Sequence, residues 1–429
     1  MQLSNKYAAM VVAGNAFEWL DFVVYASLSS ILSQVFFPDA DIKSGLIMTI
    51  TIFSISFIAR PLGGLIFGHI GDVYGRRIAL YASGGLLAIA SIGVAIMPTY
   101  ATIGLAAPLL LLIFRLLQSM AIGGEFPTMV TFLIESSPPG KRGFYGSLAQ
   151  VTTTTGVILA TIIVAFLNTT LTEEQLVAWG WRIPFGFGCI TLLMCLYYRF
   201  KLVETPEFIA IKARINHTAS HQPLKDAFIK HHKLIVKLFM MVMAPAVIFY
   251  TYHISSQMLI KHLSVAESVK VWLPIFKSCL LVVLIPVAGY FTDIFGWRRV
   301  MGTGLIMAIS VAIPVYAIMQ TAPLAMLIVI QLIMAITAAL IIAPLPLALV
   351  DSTEAETRTS VLALGYNLCL VLFGGFTPTI NLLLSEYSVV LPGIYIVLVA
   401  MISWFAIFKF GQGRVIAQVN TPTNLVKNY

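Results

Sequence analysis

The sequence has few charged residues and few cysteines. Only 10% of its 429 residues are Asp, Glu, Lys or Arg, whereas soluble domains average about 25%. Its four cysteines all lie in long apolar runs and lack the paired spacings of zinc or redox sites, so we expect neither a metal site nor a cofactor. These shortages exclude a soluble enzyme and a disulfide-stabilised secreted module. Hydrophobic residues make up 59% of the chain, enough for about twelve membrane-spanning helices.

Twelve apolar segments are long enough to cross a bilayer. In lipid, each backbone polar group must be satisfied within its own segment or a closed barrel, and these runs are too uniformly apolar for alternating barrel strands. The sequence therefore predicts an all-α polytopic membrane protein with 12 transmembrane helices. The segments are 8–32, 45–67, 78–97, 106–134, 143–167, 182–200, 238–259, 272–291, 300–318, 325–349, 361–384 and 393–410.

The basic residues gather on one side of the membrane. With Met1 placed in the cytoplasm, nineteen Lys and Arg residues, Arg199 among them, fall on the cytoplasmic side, and only Lys43, Lys261 and Lys270 fall on the other. This positive-inside bias predicts that both termini are cytoplasmic. The net charge of +8 is then explained by the membrane topology and by contact with the lipid bilayer, and it does not indicate nucleic-acid binding.

The chain divides into two similar halves. Gly68, Asp72, Gly75 and Arg77 recur 221 residues later as Gly289, Asp293, Gly296 and Arg298, and Glu135, Ser136 and Arg142 recur 216 later as Asp351, Ser352 and Arg358. Parallel six-helix repeats of this kind build two-bundle transporters whose binding site lies between the bundles. We therefore expect a six-helix bundle at 1–200, a cytoplasmic linker at 201–237, and a second bundle with a short tail at 238–429.

The loop Gly68–Arg77 and the segment Leu111–Gln118 resemble signature motifs of the major facilitator superfamily (MFS). More narrowly, the chain resembles the metabolite:proton symporters that carry proline or betaine, 2-oxoglutarate, citrate and shikimate. The resemblance rests on stretches in both halves: 14–22, 60–64, 123–125, 141–147, 180–184, 365–367 and 373–375. It implies the MFS fold, in which two pseudo-symmetric six-helix bundles alternate access to a central site.

Seven charged side chains remain at membrane depth once the loops are assigned, and six lie in the first half. Such groups are costly in lipid and should face a cavity or one another. Glu18 and Asp21 share one face of the first helix with Tyr25, because residues three and four apart are neighbours on a helix. A shielded carboxyl group can gain and lose a proton as its partners change, so Glu18, Asp21 and Glu125 are the candidate proton-coupling residues.

Arg60 and Arg115 are the leading candidates for binding a substrate carboxylate, because a guanidinium keeps its charge and forms paired hydrogen bonds. The alternative is that both arginines only neutralise the nearby acids. Arg182 is expected to be an interfacial anchor, and Lys277, near a helix end, can extend toward the interface instead of binding substrate. Further candidate binding residues are Tyr25, Gln118, Tyr252, His253, Gln257, Lys277, Gln331 and Asn367.

The signature loops are expected to act as a cytoplasmic gate. The resemblance implies that Asp72 pairs with the helix 4–5 region, near Glu135 and Arg142, when that side is closed. The alternative is that the arginines only anchor the topology. The candidate gating residues are Asp72, Arg76, Arg77, Glu135, Arg142, Asp293, Arg298, Asp351 and Arg358.

Together these features predict a proton-coupled symporter of a bacterial inner membrane, functional as a monomer. Its expected partners are protons and a small carboxylate-bearing metabolite, either a proline- or betaine-like zwitterion or an organic acid. A proton-driven exporter or an exchanger is the alternative within transport. A membrane enzyme would need a nucleophile or a metal set inside the spans, and the sequence shows neither a His-x-x-x-His pair nor a Gly-x-Ser-x-Gly turn there.

Overall fold

The computed structural model describes residues 5–215, 223–255, 267–319 and 321–409, and these ranges contain helices and no strand. The prediction of an all-α fold is confirmed. The first half contains helices α1 (Asn5–Ser27), α2 (Ser29–Phe36), α3 (Ile42–Ser56), α4 (Ala59–Val73), α5 (Arg76–Ile96), α6 (Tyr100–Ile103), α7 (Ala106–Ser136), α8 (Arg142–Thr170), α9 (Glu173–Gln175) and α10 (Arg182–Arg199).

Two short helices follow in the linker, α11 (Pro206–Ile215) and α12 (Pro223–Lys230). The second half contains α13 (His232–Tyr250), α14 (Glu267–Phe295), α15 (Trp297–Met319), α16 (Leu324–Ile342), α17 (Leu345–Asp351), α18 (Arg358–Cys369), α19 (Thr377–Tyr387) and α20 (Leu391–Phe408).

Each of the twelve predicted segments contains a helix. In the described part of the chain, ten helical stretches are long and apolar enough to cross a membrane, and the bent pair α1–α2 makes an eleventh. The twelfth segment is the 18-residue helix α10. Large apolar side chains such as Ile66, Phe166 and Leu398 are exposed on these helices, as expected of surfaces that face lipid.

Several spans are interrupted by a bend, a break or a turn of π-helix. The first predicted span is not straight, because α1 and α2 meet at 69° around Leu28. The second breaks between α3 and α4, which places Arg60 in the first turn of α4, followed by Pro61. Turns of π-helix occur at Thr251–Ser255 after α13 and at Leu370–Gly374 after α18. Such breaks redirect side chains and free backbone groups, and they are frequent at functional sites.

The two halves meet along two helix pairs, α4 with α18 and α8 with α14. The signature glycines make this contact possible. A Cβ atom on Gly143 would lie 2.8 Å from the carbonyl oxygen of Gly289, and a Cβ on Gly68 would lie 3.0 Å from the Cα of Ser360. Because Gly68 and Gly289 are equivalent positions of the repeat, the two close contacts are related by the pseudo-symmetry of the chain.

Candidate functional site

The first buried charge pair joins α1 to α7. Arg115 Nη1 donates to Asp21 Oδ2 at 3.0 Å, and Gln118 Nε2 donates to the same oxygen at 3.0 Å. The guanidinium of Arg115 lies 3.9 Å from the ring centroid of Tyr25, whose hydroxyl donates to the carbonyl of Thr49. Four of the predicted site residues are therefore held together within the first half, with Asp21 engaged by Arg115.

The second pair joins α7 to α10, and its cation was misassigned from the sequence. Arg199 Nη2 donates to Glu125 Oε1 at 2.6 Å, and Nη1 donates to the carbonyl of Leu80 at 3.2 Å. We counted Arg199 among the cations of the cytoplasmic loops, and that assignment is wrong. Its backbone ends α10, but its long side chain turns back into the bundle, so only 2% of the residue is exposed.

Glu18 and Arg60 form a third site of a different kind. Glu18 is 3% exposed and Arg60 is 2% exposed, and the described residues offer neither of them an ion-pair partner within 4.0 Å. Glu18 Oε2 and Arg60 Nε have no hydrogen-bond partner among those residues. The guanidinium of Arg60 instead lies 4.2 Å from the ring centroid of Phe57. Buried charges without close partners are costly, so their retention in the membrane is typical of a functional site.

A cavity of about 30 Å³ lies between the halves next to this site. Rings from both halves line it: Trp19 and Phe126 from the first, and Phe249, Tyr250 and Tyr366 from the second. Phe126 stacks on Tyr366 with ring centroids 4.6 Å apart, and Trp19 lies 5.0 Å from Phe249. Tyr250 is close enough to Arg60 and Glu18 to interact electrostatically with both, which connects the cavity to the two charges.

The cavity walls include Trp19, Phe126, Phe249 and Tyr250, which we did not select from the sequence. A signal was present in the first half, since Trp19 directly follows Glu18 and Phe126 directly follows Glu125. No comparable signal marks Phe249, which lies in a uniformly apolar run.

Tyr252, His253 and Lys277 form a buried group in the second half. Lys277 Nζ donates to the carbonyl of Tyr252, and the Tyr252 hydroxyl donates to the carbonyl of Lys277 at 2.9 Å. Lys277 is fully buried, so the expectation that it reaches toward the interface is wrong: α14 begins ten residues before it. The ring of His253 lies 4.5 Å from that of Phe249 at the cavity wall.

The remaining predicted binding residues differ in their placement. Asn367 on α18 donates to the carbonyl of Gly123 on α7 at 2.7 Å, which bridges the two halves. Gln331 is buried in α16. Gln257 lies outside the described residues.

Two clusters of polar contacts close one end of the bundle. We call this end, which carries the turns at Gly75, Gly140 and Gly296 and the linker helices, the basic end. In the first cluster, Asp72 accepts hydrogen bonds from the backbone N–H groups of Thr359 at 3.0 Å and Ser360 at 2.8 Å. Its carboxylate, at the end of α4, thereby caps the first turn of α18 in the other half.

An ion network extends from this cap. Arg76 contacts Asp72 at 3.4 Å and Glu135 at 3.2 Å, and Arg358 contacts Glu135 at 2.7 Å. All four side chains are almost completely buried. Glu135 therefore ties α7 to arginines of both halves.

The linker binds to the same network through residues that we did not predict. Glu204 accepts from the backbone N–H groups of Arg76 and Arg77, each at 3.1 Å, and so caps α5. Burial raises the pKa of Glu204, although hydrogen bonds from backbone N–H groups and the charge of Arg76 oppose the shift. Thr205 donates to Glu135 at 2.6 Å, and Glu207 contacts Arg358 at 3.0 Å.

The second cluster repeats the cap with fewer supporting charges. Asp293, at the end of α14, accepts from the backbone N–H groups of Gly143 and Phe144 at 2.6 and 2.8 Å. Arg142 contacts Asp351 at 3.2 Å, with the two side chains 38% and 33% exposed. Arg298 lies against the ring of Trp297 and has no ion pair within the described ranges.

These contacts correct the expected partner of Asp72. It caps α18 and reaches Glu135 only through Arg76, whereas Arg142 belongs to the second cluster. The reason is geometric: a carboxylate at the end of one helix is best satisfied by the free N–H groups that begin another.

The sequence profile of the family described as "Sugar (and other) transporter" matches residues 7–226. The proline/betaine transporter of Salmonella typhimurium is 32% identical over 401 residues, which is 91% of this chain and 80% of that protein. The chain is an MFS protein of the metabolite:proton symporter family. It is accordingly a transporter and not an enzyme.

Two further similarities agree with this assignment. The citrate-proton symporter of Klebsiella pneumoniae is 33% identical over 88% of this chain and 85% of that protein. The proton:xylose symporter XylE, solved with 6-bromo-6-deoxy-D-glucose bound, superposes with a TM-score of 0.76 at 17% identity, covering 93% of each chain. The structural match shows that the MFS fold predicted from the sequence is correct.

Proposed function

We propose that this MFS protein imports a small zwitterion together with protons, by alternating access. The observation that carries the proposal is the Glu18–Arg60 site beside a cavity walled by aromatic rings from both halves. We place the basic end in the cytoplasm of a bacterial cell, following the positive-inside bias, and the protein in the inner membrane.

Arg60 is the group that we assign to the substrate carboxylate. Its guanidinium is buried next to the cavity, and the described ion pairs occupy Arg115 and Arg199 but not Arg60. A guanidinium that is not already paired can form two parallel hydrogen bonds to a carboxylate without first breaking an ion pair.

The aromatic wall favours a zwitterion over a dicarboxylate. The faces of Trp and Tyr rings attract cations, and quaternary ammonium groups are commonly bound by several rings together. A betaine-type substrate would place its carboxylate on Arg60 and its ammonium group among Trp19, Tyr250 and Tyr366. A dicarboxylate would need a second cation in place of these rings.

Glu18 is the residue that we propose as the proton carrier. Among the three candidate acids, Asp21 is bonded to Arg115 and Glu125 to Arg199, whereas Glu18 has no ion pair within the described residues and directly precedes the cavity residue Trp19. When a substrate carboxylate binds Arg60, it withdraws positive charge from Glu18, which then holds its proton more strongly. Substrate and proton therefore bind together, as symport requires.

The closed basic end supports an alternating-access cycle. The two bundles, 1–200 and 238–429, would rock about the central site and break the caps at Asp72 and Asp293 when the cytoplasmic side opens. In this proposal the present conformation precedes release of substrate to the cytoplasm.

Purified protein in proteoliposomes tests the proposal. Glycine betaine or proline should accumulate when the outside is acidified, and citrate should not. Accumulation of citrate would show that the substrate is an organic acid. Counterflow without any response to an imposed pH gradient would indicate an exchanger, and efflux driven by proton entry would indicate an exporter.

A further inference from the structure

The side chain of Arg199 occupies a slot built from four helices. It leaves the end of α10, passes between α1 and α5, and ends on Glu125 of α7. Two glycines form the walls of this slot. A Cβ atom on Gly14 would lie 2.4 Å from Arg199 Nη2, and a Cβ on Gly84 would lie 2.6 Å from Nη1. The guanidinium therefore fits only because positions 14 and 84 are glycines. A side chain at either position would collide with it.

The slot lies directly beside the proposed proton carrier. Gly14 is one helical turn before Glu18 on α1, and its side faces both Arg199 and Glu125 Oε1. Glu18 interacts electrostatically with Glu125 and Arg199 as well as with Arg60 and Asp21. Glu125 is completely buried, and its second oxygen, Oε2, has no hydrogen-bond partner in the described part of the protein.

The backbone of Arg199 is connected to the closed basic end. The next residue, Phe200, accepts a hydrogen bond through its carbonyl from Arg77 Nη2 at 2.8 Å. Four residues later the linker binds the gate, through Glu204 on α5 and Thr205 on Glu135. The segment that anchors Arg199 therefore continues into the linker, which also contacts the other half through Glu207 and Arg358.

We infer that Arg199 couples closure of the basic end to proton release, by controlling whether Glu125 can take the proton from Glu18. While this end is closed, the guanidinium of Arg199 is bonded to Glu125, and the incoming proton stays on Glu18. When the linker moves with the opening gate, Arg199 withdraws and Glu125 becomes a proton acceptor. The inference rests on the proposed proton-coupled import.

The step moves one proton and no other group. The O–H bond of the Glu18 acid breaks, an O–H bond forms on the Glu125 carboxylate, and Glu18 is left as the carboxylate. When Arg199 returns to Glu125, the O–H bond of Glu125 breaks and the proton passes to water on the cytoplasmic side. The charged and titratable groups around Glu18 are Asp21 on its own helix, Arg60, Glu125 and Arg199 from neighbouring helices, and Tyr250 and Tyr366 from the other half.

The test compares Glu125→Gln, Arg199→Gln and the double variant in proteoliposomes, with radiolabelled glycine betaine as the probe. Counterflow without a pH gradient requires only substrate binding and alternation, whereas accumulation against a gradient requires net proton transfer. We expect all three variants to retain counterflow and to lose accumulation by at least about tenfold. The double variant matters most, because it removes both buried charges together and leaves neither of them unpaired.

Arg182→Gln is the matched control, since Arg182 lies at the opposite end of α10 and donates to the carbonyl of Met97. It should leave both activities unchanged. Wild-type accumulation by the double variant would overturn the inference, as would a parallel loss of counterflow and accumulation, which indicates a purely structural pair. Failure of the wild-type protein itself to accumulate glycine betaine would instead refute the proposed function.

Discussion

The two halves of this transporter share a fold but differ in what they bury. The first half encloses two ion pairs, Asp21–Arg115 and Glu125–Arg199, together with Glu18 and Arg60. The second half contributes three rings to the cavity, and Lys277, a buried cation of this half at membrane depth, donates to a backbone carbonyl. The two halves of the repeat therefore share their helix packing and both contribute rings to the cavity, whereas most of the buried charge at membrane depth lies in the first half.

The two closing clusters differ in the same direction. Asp72 and Asp293 are equivalent in the repeat, and each caps a helix of the opposite half. Within the described residues, only the first cap is joined to a buried ion network and to the linker. The side chains of Arg76 and Asp72 are 1% and 0% exposed, against 38% and 33% for Arg142 and Asp351. We therefore expect the first of these two equivalent contacts to be the more stable, because the linker adds hydrogen bonds to it.

The Glu18→Gln variant should give the largest effect, and it tests whether proton coupling belongs to the first half. If proton coupling belongs to the first half, this variant should lose gradient-driven accumulation of glycine betaine by about a hundredfold. Counterflow should persist, because it needs no net proton transfer. Glu386→Gln, at an exposed carboxylate of the second half, is the control and should behave as wild type. Full accumulation by the Glu18 variant would move the coupling site elsewhere.

Substitution of Arg60 and of Lys277, one buried cation from each half, gives the next largest contrast. Arg60→Gln removes the charge that we assign to the substrate carboxylate and should weaken glycine betaine binding about 10- to 100-fold, the worth of a hydrogen-bonded ion contact. Lys277→Gln should have a smaller effect on affinity, since its amine already bonds to Tyr252. Isothermal titration calorimetry in detergent measures the affinity of both variants for glycine betaine. A larger loss of affinity in the Lys277 variant would assign the substrate carboxylate to Lys277 instead of Arg60.

The two caps should differ in their effect on stability. Asp72→Asn leaves Arg76 without one of its buried partners, whereas the cap lost in Asp293→Asn lies in a partly exposed cluster. We expect the first change to cost about 3 kcal/mol and the second about 1 kcal/mol. Thermal unfolding of the two purified variants, side by side, reports the difference in Tm. Equal shifts would show that the linker adds nothing to the first cap.

The smallest effects should come from the aromatic wall, where the halves contribute alike. Phe126→Leu in the first half and Phe249→Leu in the second should each weaken glycine betaine binding about two- to fivefold, because Phe126 stacks on Tyr366 and Phe249 packs against Trp19, two rings of the proposed ammonium site. Proline, whose ammonium carries no methyl groups, should be affected less. Binding isotherms of glycine betaine and proline for both variants measure these losses of affinity. A loss in only one of the two variants would show that the two halves do not share the binding wall.

Much of the architecture was predictable because the signals are local. Apolar runs gave all twelve helical segments, and the recurrence of Gly68 and Asp72 as Gly289 and Asp293 predicted a repeat whose glycines form the close contacts between halves. Predictions about individual side chains were less reliable. Arg199 and Lys277 were both placed near the membrane surface, although each is buried.

The sequence by itself determined that lipid is the solvent, that the chain is helical, and that most membrane-depth charges belong to the first half. Hydropathy and repeat spacing are properties of neighbouring residues and can be read along the chain. Only the tertiary structure decided that Asp21 and Glu125 are held by arginines, while Glu18 and Arg60 have no ion pair in the described part of the chain. Those pairings join residues about 75 to 95 positions apart, and a long guanidinium can reach across several helices. Which acid remains available for a proton therefore depends on helix packing.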